Sequence, residues 1–559
     1  SAAEADLREA LSRSHQPAFE REHVDAWAEL WRSGVTIRGR PDVEQAAMAS
    51  TYYILSSLRE DQRFGLSPGG LASNAYFGHS FWDTEMWMYP PLLLWYPSLA
   101  SSLLDYRAER LPAAMAKAKA ANFSGAMFPW ESAFSGNEVC PTWAPFGALE
   151  QHISADIAFA TRQYFHMTKD EVWLGTVGWP LLEAIADFYV SKATEDPQAP
   201  GRFHINHVIP PDEFNEEGVS DSVYTNFVAK EALEFAAAAA KTLGRPGKSE
   251  WSRVAAGLVI LFDETLHRHP EYLDYRWGQH IKQADVVLLT YPLGMREDRQ
   301  DELEDFKYYA GVTDPKGPAM TWGMHAIGYL DAGDEETAAG LLNRSFANVK
   351  PPFLVWTETS TDGAVNFITG AGGFLQAVIF GFFGVRIHDR SLELRPRLMT
   401  GATSAELRGV HYLGRELLVI CARNGVQLSL VEGERLWVTG EGGERPKALD
   451  VGNAVTFPHG VRISVSNVRA EPRRATMLKG GSRGPATPTP AIRKPSAELS
   501  GSRVPGLAAL GLAAAAAAAL GAWALGASRL WLWAPPSSIS GGPADGAVGP
   551  LLDATPGPL

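Results

Sequence analysis

Residues 81–87 combine two acids with a phenylalanine and two tryptophans, a mixture that a packed core rarely contains. Flat aromatic rings stack on the C–H faces of a sugar, and carboxylates accept hydrogen bonds from its hydroxyl groups. The stretch therefore indicates a sugar-binding site, with Trp82 and Asp83 as candidate contacts. The same residues are equally compatible with a buried helix end in which Asp83 only caps the following turn.

Other loops of the chain carry acids, aromatic rings or glycines in unusual combinations: 128–132, 211–214 with 224–226, 282–286 and 369–374. In this order, and together with residues 78–85, they resemble the motifs of glycoside hydrolase family 65, the trehalase, kojibiose and maltose phosphorylase group. One such motif is a weak signal, whereas several in the family's order are a strong one. The resemblance covers roughly residues 1–468. It implies a mainly α fold, an (α/α)6 barrel followed by a small C-terminal antiparallel β domain.

Two carboxylic acids form the expected catalytic pair. Cleavage of a glycoside needs one acid to protonate the leaving oxygen, and an inverting enzyme needs a second carboxylate to activate water on the opposite face. The resemblance implies that Glu213, within Pro-Pro-Asp-Glu-Phe, is the proton donor and that Glu358 is the general base. A carboxylate at position 358 repels phosphate, so we expect hydrolysis rather than phosphorolysis. Ser360 and Thr361 keep phosphorolysis open as an alternative, because their hydroxyl groups can contact an anion.

The resemblance and the aromatic loops together predict a set of substrate contacts: Trp82, Asp83, Trp130, Glu131, Lys282, Gln283 and Trp356. Asp83 is expected to accept hydrogen bonds from sugar hydroxyls, and Lys282 with Gln283 is expected to grip glucose. The three tryptophans are stacking candidates, and each one taken singly fits the core equally well.

The resemblance also implies the substrate. It is the Glc-α-1,2-Gal unit on collagen hydroxylysine, met as glucosylgalactosyl-hydroxylysine or as collagen-derived glycopeptides, with glucose as the product. Two alternatives stay open. The first is a phosphorylase or trehalase-type enzyme acting on a free α-glucoside disaccharide. The second is an inactive, membrane-tethered protein that binds sugar.

The composition narrows the class of protein. With 45% apolar and 20% charged residues, the 559-residue chain is typical of a soluble globular protein of two or three units. The net charge of −14 argues against a nucleic-acid partner. The two cysteines, Cys140 and Cys421, imply no disulfide framework, so we expect a reducing, cytoplasmic setting. Neither a metal-ligand spacing nor a glycine-rich phosphate loop is present in the sequence, and we expect no cofactor.

The hydrophobic period divides the chain into segments. Residues 1–40 are expected to form linker helices, and helical spacing over 41–385 predicts the catalytic barrel. Short alternating runs over 386–468 predict the β domain. Residues 469–503 have the composition of a disordered basic linker, and residues 529–559 form a tail. Family members also carry a large N-terminal β-sandwich without a counterpart here, which suggests an N-terminally truncated fragment.

The segment 504–528 has two interpretations. It contains no charge and is long enough to span a bilayer, which would anchor the protein to a membrane. Its many alanines and its glycines fit an alanine-rich low-complexity segment equally well.

Within the helical part, individual helices are predicted over 152–167, 172–191, 258–266 and 335–346. Asp221 and Ser222 are predicted to cap a further helix.

Overall fold

The described part of the chain is rich in helices. A computed structural model describes residues 2–61, 64–295, 299–442 and 445–469, so the predicted segment 504–528 and the tail lie outside the described residues. Within these ranges, no helix is long and apolar enough to cross a membrane. The α-helices found there are α1 (Ala2–Arg13), α2 (Pro17–Leu30), α3 (Pro41–Leu55), α4 (Tyr89–Trp95), α5 (Pro97–Glu109), α6 (Leu111–Ala120), α7 (Phe146–Leu149), α8 (Ile153–Thr168), α9 (Glu171–Trp173), α10 (Trp179–Lys192), α11 (Val223–Thr242), α12 (Ser249–Gly257), α13 (Arg299–Val312), α14 (Thr321–Ala332), α15 (Glu335–Ser345) and α16 (Ile368–Gln376).

Most of the predicted helices form where the spacing indicates them. The helices predicted over 152–167 and 335–346 are confirmed by α8 and α15. Ser222 caps α11 as predicted, because its hydroxyl oxygen accepts a hydrogen bond from the Thr225 amide at 3.2 Å. The helix predicted over 172–191 is divided into α9, a π-helical turn and α10.

The helix predicted over 258–266 is wrong. Helix α12 ends at Gly257, where the chain approaches another backbone so closely that an added Cβ would lie 1.9 Å from the Gly201 carbonyl oxygen. Beyond it the chain is extended, and the Val259 amide donates a hydrogen bond to the Phe203 carbonyl at 3.0 Å. A short apolar run of this kind fits a helix and an extended buried segment equally well, so the spacing alone does not separate them.

The strands are short and antiparallel in each named sheet. They are β1 (Gly34–Arg38), β2 (Thr194–Glu195), β3 (Phe203–His204), β4 (Val349–Lys350), β5 (Val355–Trp356), β6 (Arg386–Ile387), β7 (Leu392–Leu394), β8 (Ser404–Tyr412), β9 (Arg415–Ala422), β10 (Gly425–Glu432), β11 (Leu436–Gly440), β12 (Lys447–Leu449), β13 (Ala454–Phe457) and β14 (Ile463–Ser466). The larger sheets have the orders β1-β8-β9-β10-β13 and β12-β11-β14-β7-β6, while β2 pairs with β3 and β4 with β5.

The first strand corrects the expectation of linker helices over residues 1–40. Helices α1 and α2 do form there, but β1 follows them and adds to the edge of the β domain beside β8. Val35 and Ile37 are buried on one side of this strand and alternate with the less buried Thr36. This alternation stabilises a strand rather than a helix. The β domain is therefore built from both sides of the helical region in the sequence.

Helix α16 brings its glycine-rich first turns into close backbone contact with the rest of the helical part. A Cβ on Gly372 would lie 2.4 Å from the Trp87 carbonyl oxygen, and a Cβ on Gly373 would lie 2.8 Å from the Met320 side chain. Only glycine permits so close an approach. The consequence is that the start of α16, with Thr369, lies directly against the segment that carries Asp83.

Candidate functional site

Asp83 lies just before a π-helical turn, Thr84–Met88, and does not act as a helix cap. Its Oδ1 accepts a hydrogen bond of 2.6 Å from the Thr369 hydroxyl, a residue of α16. Burial raises the pKa of Asp83 to about 7, reinforced by the charges of Glu213 and Glu358 and opposed by the Thr369 hydrogen bond. Asp83 therefore lies within electrostatic reach of both predicted catalytic acids, and the capping interpretation is excluded.

Glu358 is held by hydrogen-bond donors at both carboxylate oxygens. Its Oε1 accepts a hydrogen bond from the Tyr76 hydroxyl at 2.8 Å, and its Oε2 accepts one from the Ala364 amide at 2.9 Å. Gly363 completes the turn, since its φ is 81° and a Cβ there would lie 2.8 Å from the Glu358 side chain. Burial and the Glu358 charge raise the pKa of Tyr76 well above its usual value, so the phenol stays protonated and donates. The carboxylate is thereby fixed in one orientation.

Glu213 is contacted by two other residues predicted for the site. Lys282 Nζ donates to its Oε2 at 2.8 Å, and Gln283 Nε2 donates to its Oε1 at 3.0 Å. The backbone of Glu213 has φ 58°, a left-handed conformation that is costly for a residue other than glycine. The Glu213 side chain is 13% exposed, so the carboxyl reaches a solvent-accessible space without being a surface group.

Trp130 and Glu131 lie together beside the 81–87 segment. The Trp130 ring packs edge-on against Phe81, with centroids 4.9 Å apart, and stacks on Phe146 at 5.1 Å. Glu131 Oε1 lies 2.7 Å from His79 Nδ1, in a hydrogen-bonded pair. The loop is thus anchored to the segment that carries Asp83, and the contact of Trp130 and Glu131 with a sugar stays a prediction.

The two other predicted tryptophans are buried. Trp356 is 0% exposed, and its indole nitrogen donates a hydrogen bond of 3.0 Å to the Ser50 hydroxyl. A sugar therefore has no open face of Trp356 on which to stack, and the residue belongs to the core instead. Trp82 is 3% exposed and is surrounded edge-on by Trp87, His152 and Tyr224. Its contact with a sugar stays a prediction.

A buried network that sequence reasoning missed lies next to Glu213 and Lys282. Glu150 Oε1 is 3.2 Å from His152 Nε2, and Asp156 Oδ2 is 2.7 Å from His152 Nδ1. Burial opposes a charge on His152, but the two carboxyl groups outweigh it and raise the pKa of His152 to about 10. Burial and the Glu213 charge raise the pKa of Glu150 to about 8.

The electrostatics of the site favour a neutral, hydroxyl-rich ligand. Burial lowers the pKa of Lys282, but the negative charges of Glu213, Glu150 and Glu358 outweigh it and raise that pKa. Asp83 lies near Glu213 and Glu358. Carboxylates accept hydrogen bonds from hydroxyl groups and repel anions. Within the described ranges, no group of three or more histidines, cysteines or acids could hold a metal ion.

Comparison with known proteins identifies the family to which this site belongs. Residues 50–265 match the central catalytic domain of glycosyl hydrolase family 65, and this range includes Asp83 and Glu213. The chain belongs to glycoside hydrolase family 65. Lys282 and Glu358 lie beyond the matched range, so their roles depend on the contacts described above.

Family 65 relatives match most of the chain. It is 48% identical over 400 residues to protein-glucosylgalactosylhydroxylysine glucosidase of Dictyostelium discoideum, which covers 70% of this chain and 56% of that protein. It is 38% identical over 454 residues to the protein of the same name in Mus musculus, covering 78% and 65%. It is also 38% identical over 392 residues to kojibiose hydrolase of Mucilaginibacter mallensis, covering 69% and 57%. The chain thus spans less than two thirds of the length of these relatives.

A solved structure shows the same fold. "Putative kojibiose phosphorylase from human microbiome" superposes with a TM-score of 0.69 and 18% sequence identity, covering 82% of this chain and 72% of that one. The helix-rich architecture with small antiparallel sheets is therefore that of a family 65 protein. At this low identity the likeness concerns the fold alone.

Proposed function

We propose that this chain is an inverting α-glucosidase that uses water to release glucose from a short glycoconjugate. We further propose that its helical part is an (α/α)6 barrel whose loops at one end form the pocket. The observation that supports the activity best is that Glu213 and Glu358 both lie near Asp83. Burial raises the pKa of Asp83, and the charges of these two acids raise it further. Glycosidases of the inverting class need two carboxyl groups that flank one sugar.

In the proposed reaction, Glu358 acts as the base. Its carboxylate removes a proton from a water molecule, and the water oxygen attacks the anomeric carbon of glucose. Tyr76 and Ala364 donate to the two oxygens of Glu358 and keep the carboxylate pointed in one direction. Each oxygen has a second lone pair, so one of them remains able to accept the proton from water.

Glu213 acts as the acid in the same step. As the glycosidic bond breaks, its proton passes to the leaving oxygen, so that β-glucose and the shortened aglycone are released. Lys282 and Gln283 hold the Glu213 carboxyl in the ligand-free site, and their donors are suitably placed for glucose hydroxyls as well. Asp83 accepts from a further hydroxyl, which would fix the ring between the two acids.

Hydrolysis is favoured over phosphorolysis by the charges. A phosphate ion would have to approach the Glu358 carboxylate, and Lys282, the cation near it, already donates a hydrogen bond to Glu213. Water carries no charge and meets no such repulsion.

The aglycone is proposed from the relatives. Two of the relatives described above are named for glucosylgalactosylhydroxylysine, and a third is named for kojibiose, an α-1,2-linked glucose disaccharide. We therefore propose the Glc-α-1,2-Gal unit on collagen hydroxylysine as the substrate. The lysine-derived amine is a cation, which suits the acidic surroundings of the pocket.

The test is glucose release from glucosylgalactosyl-hydroxylysine, with and without phosphate, by the parent chain and by Glu358→Gln. We expect phosphate-independent release of β-glucose that is lost in the variant. Formation of glucose 1-phosphate would make the enzyme a phosphorylase. A folded parent chain that binds the glycoside and releases no glucose would contradict the enzymatic proposal and support a binding role.

A further inference from the structure

Two short segments next to the candidate acid, residues 211–215 and 281–285, are tied together by a reciprocal pair of hydrogen bonds. Asp285 Oδ2 accepts a hydrogen bond from the Asp212 amide at 3.2 Å. In return, Asp212 Oδ1 accepts one from the Lys282 amide. Each aspartate therefore binds the main chain of the opposite segment, and both are fully buried.

Further contacts between the same segments reinforce this pair. Gln283 Nε2 donates to the Pro211 carbonyl oxygen at 2.6 Å. The second carboxylate oxygen of Asp212 accepts a hydrogen bond from Asn215 Nδ2 at 2.9 Å. The loop around Glu213 is thus held on both sides of the acid, at Pro211 and Asp212 before it and at Asn215 after it.

Such fixation is needed because of the conformation of Glu213. Its φ of 58° lies in the left-handed region, which is unfavourable for a residue with a Cβ. A strained residue persists only where the surrounding structure determines it. The hydrogen bonds of Asp212 and Asp285 are among the contacts that oppose relaxation of this loop.

Glu271 lies beside Asp285 as a second buried acid. Both side chains are fully buried, and each carboxyl group affects the protonation of the other. Two ionised carboxylates at such a site would repel each other. Burial, together with the Asp285 charge, raises the pKa of Glu271 well above its usual value, so Glu271 is the acid that keeps its proton.

We propose that Asp212 and Asp285 are positioning residues whose reciprocal bonds hold the Glu213 carboxyl where it can protonate the leaving oxygen. We call these two bonds the aspartate clamp. The clamp also aligns Lys282 and Gln283, because these residues belong to the segment that it holds. This inference rests on the proposed function of Glu213 and adds residues that do not touch the substrate.

The kinetic test compares two substrates that differ in their need for an acid. The sugar leaving group of the natural disaccharide needs a proton, whereas the fluoride of α-glucosyl fluoride does not. For Asp285→Ala we expect kcat on the disaccharide to fall about 100-fold, since a displaced general acid loses this much, with KM changed less than about threefold. We expect kcat on α-glucosyl fluoride to change less than about threefold. Asp285→Asn keeps an oxygen that accepts from the Asp212 amide and adds an N–H group that can donate to Glu271. This variant should therefore retain most of the parent's kcat on the disaccharide.

A matched control removes the same kind of bond elsewhere. Asp170 Oδ1 accepts a hydrogen bond from the Trp173 amide at 2.8 Å. Asp170 follows the C-terminus of α8, whereas His152 lies at the N-terminus of that helix. Asp170→Ala should lower the thermal midpoint without changing the ratio of the two kcat values. Equal losses on both substrates in Asp285→Ala, or no loss on either, would overturn the proposed clamp.

A crystal structure of Asp285→Ala tests the clamp without reference to turnover. We expect the 2.8 Å contact between Lys282 Nζ and Glu213 Oε2 to open and the φ of Glu213 to leave the left-handed region. An unchanged Glu213 would overturn the inference. If the parent chain cleaves neither substrate, the proposed function fails, and the crystal structure still decides whether the clamp positions Glu213.

Discussion

Tyr76 donates a hydrogen bond of 2.8 Å to Glu358, although 282 positions separate the two residues in the chain. Tyr76 and its neighbour Phe77 both have left-handed backbones, with φ of 55° and 52°. Two consecutive strained residues are costly, and such strain is concentrated at functional sites. The turn is folded so that the phenol reaches the proposed base, and we infer that Tyr76 orients the Glu358 carboxylate.

Tyr76→Phe removes the hydroxyl and keeps the ring. A hydrogen bond to a charged group contributes about 1.5–3 kcal/mol, so we expect kcat to fall about 10- to 100-fold. KM should change little, because the phenol contacts the base and not the sugar. Steady-state kinetics of glucose release measure both values.

The control for this change is Tyr96→Phe. Tyr96 donates a hydrogen bond of 2.8 Å to the Leu30 carbonyl oxygen and has no contact with the site. Its loss should leave kcat unaltered. An equal fall in kcat for both variants would show that the Tyr76 effect is one of general stability.

Glu213→Gln tests the proposed acid directly. The amide keeps the size of the side chain but cannot transfer a proton to the leaving oxygen. General acid catalysis contributes about 10²–10⁴-fold, so kcat on the disaccharide should fall by that factor. The exposed neighbour Glu217 provides a matched change, Glu217→Gln, that should leave kcat unaffected. A similar kcat for the parent and Glu213→Gln would assign the acid to another residue.

Asp83→Asn should change the pH dependence of stability. Burial raises the pKa of Asp83 from 3.8 to about 7, so the folded protein binds its proton more tightly than the unfolded chain does. The stabilising effect of that proton is fully present below about pH 4 and is lost as the pH rises towards 7. Above pH 7 the ionised side chain costs up to about 4 kcal/mol, which asparagine avoids. We therefore expect the variant to gain free energy of unfolding relative to the parent between pH 4 and pH 8, measured by urea denaturation.

The control for this prediction has the opposite sign. A hydrogen bond from Arg40 lowers the pKa of Asp42, so the ionised form of Asp42 stabilises the folded state. Asp42→Asn should lose stability relative to the parent as the pH rises, and only slightly because the pair is exposed to solvent. A pH-independent difference between the parent and Asp83→Asn would contradict the raised pKa.

Sequence reasoning predicts site residues best where an acidic side chain occurs in an unusual local sequence. Asp83 among aromatic rings and Glu213 in an acidic loop are visible in this way, and family resemblance adds Lys282 and Gln283. The predicted helical part and β domain also agree in outline with the observed elements, because their hydrophobic periods differ.

Other parts of the site could not be predicted because they depend on tertiary contacts. No spacing rule links Tyr76 with Glu358, and the bond from Thr369 to Asp83 requires the close packing of α16. Trp130 and Trp356 have similar sequence contexts, yet one lies beside the site and the other in the core. The strand β1 was missed because its partner β8 is more than 360 positions away.

The buried ion pair between Glu85 and Arg107 supports the segment that carries Trp82 and Asp83. Both side chains are 1% exposed, and their hydrogen bonds measure 2.7 and 3.0 Å. Arg107 also donates to the Phe81 carbonyl oxygen at 2.9 Å. Arg107→Ala leaves Glu85 buried without its partner, so we expect a loss of about 3–5 kcal/mol in the free energy of unfolding.

The double variant Glu85→Met with Arg107→Met separates this penalty from the value of the pair. It buries two apolar side chains of similar length and leaves no isolated charge, so it should be more stable than Arg107→Ala. Urea denaturation of the parent, the single variant and the double variant measures the difference. If Arg107→Ala is as stable as the double variant, the isolated Glu85 carries no penalty and the pair does not fix the segment. Glucose release by the double variant should fall as well, because the Phe81 carbonyl loses its donor and the segment with Asp83 is no longer held at that point.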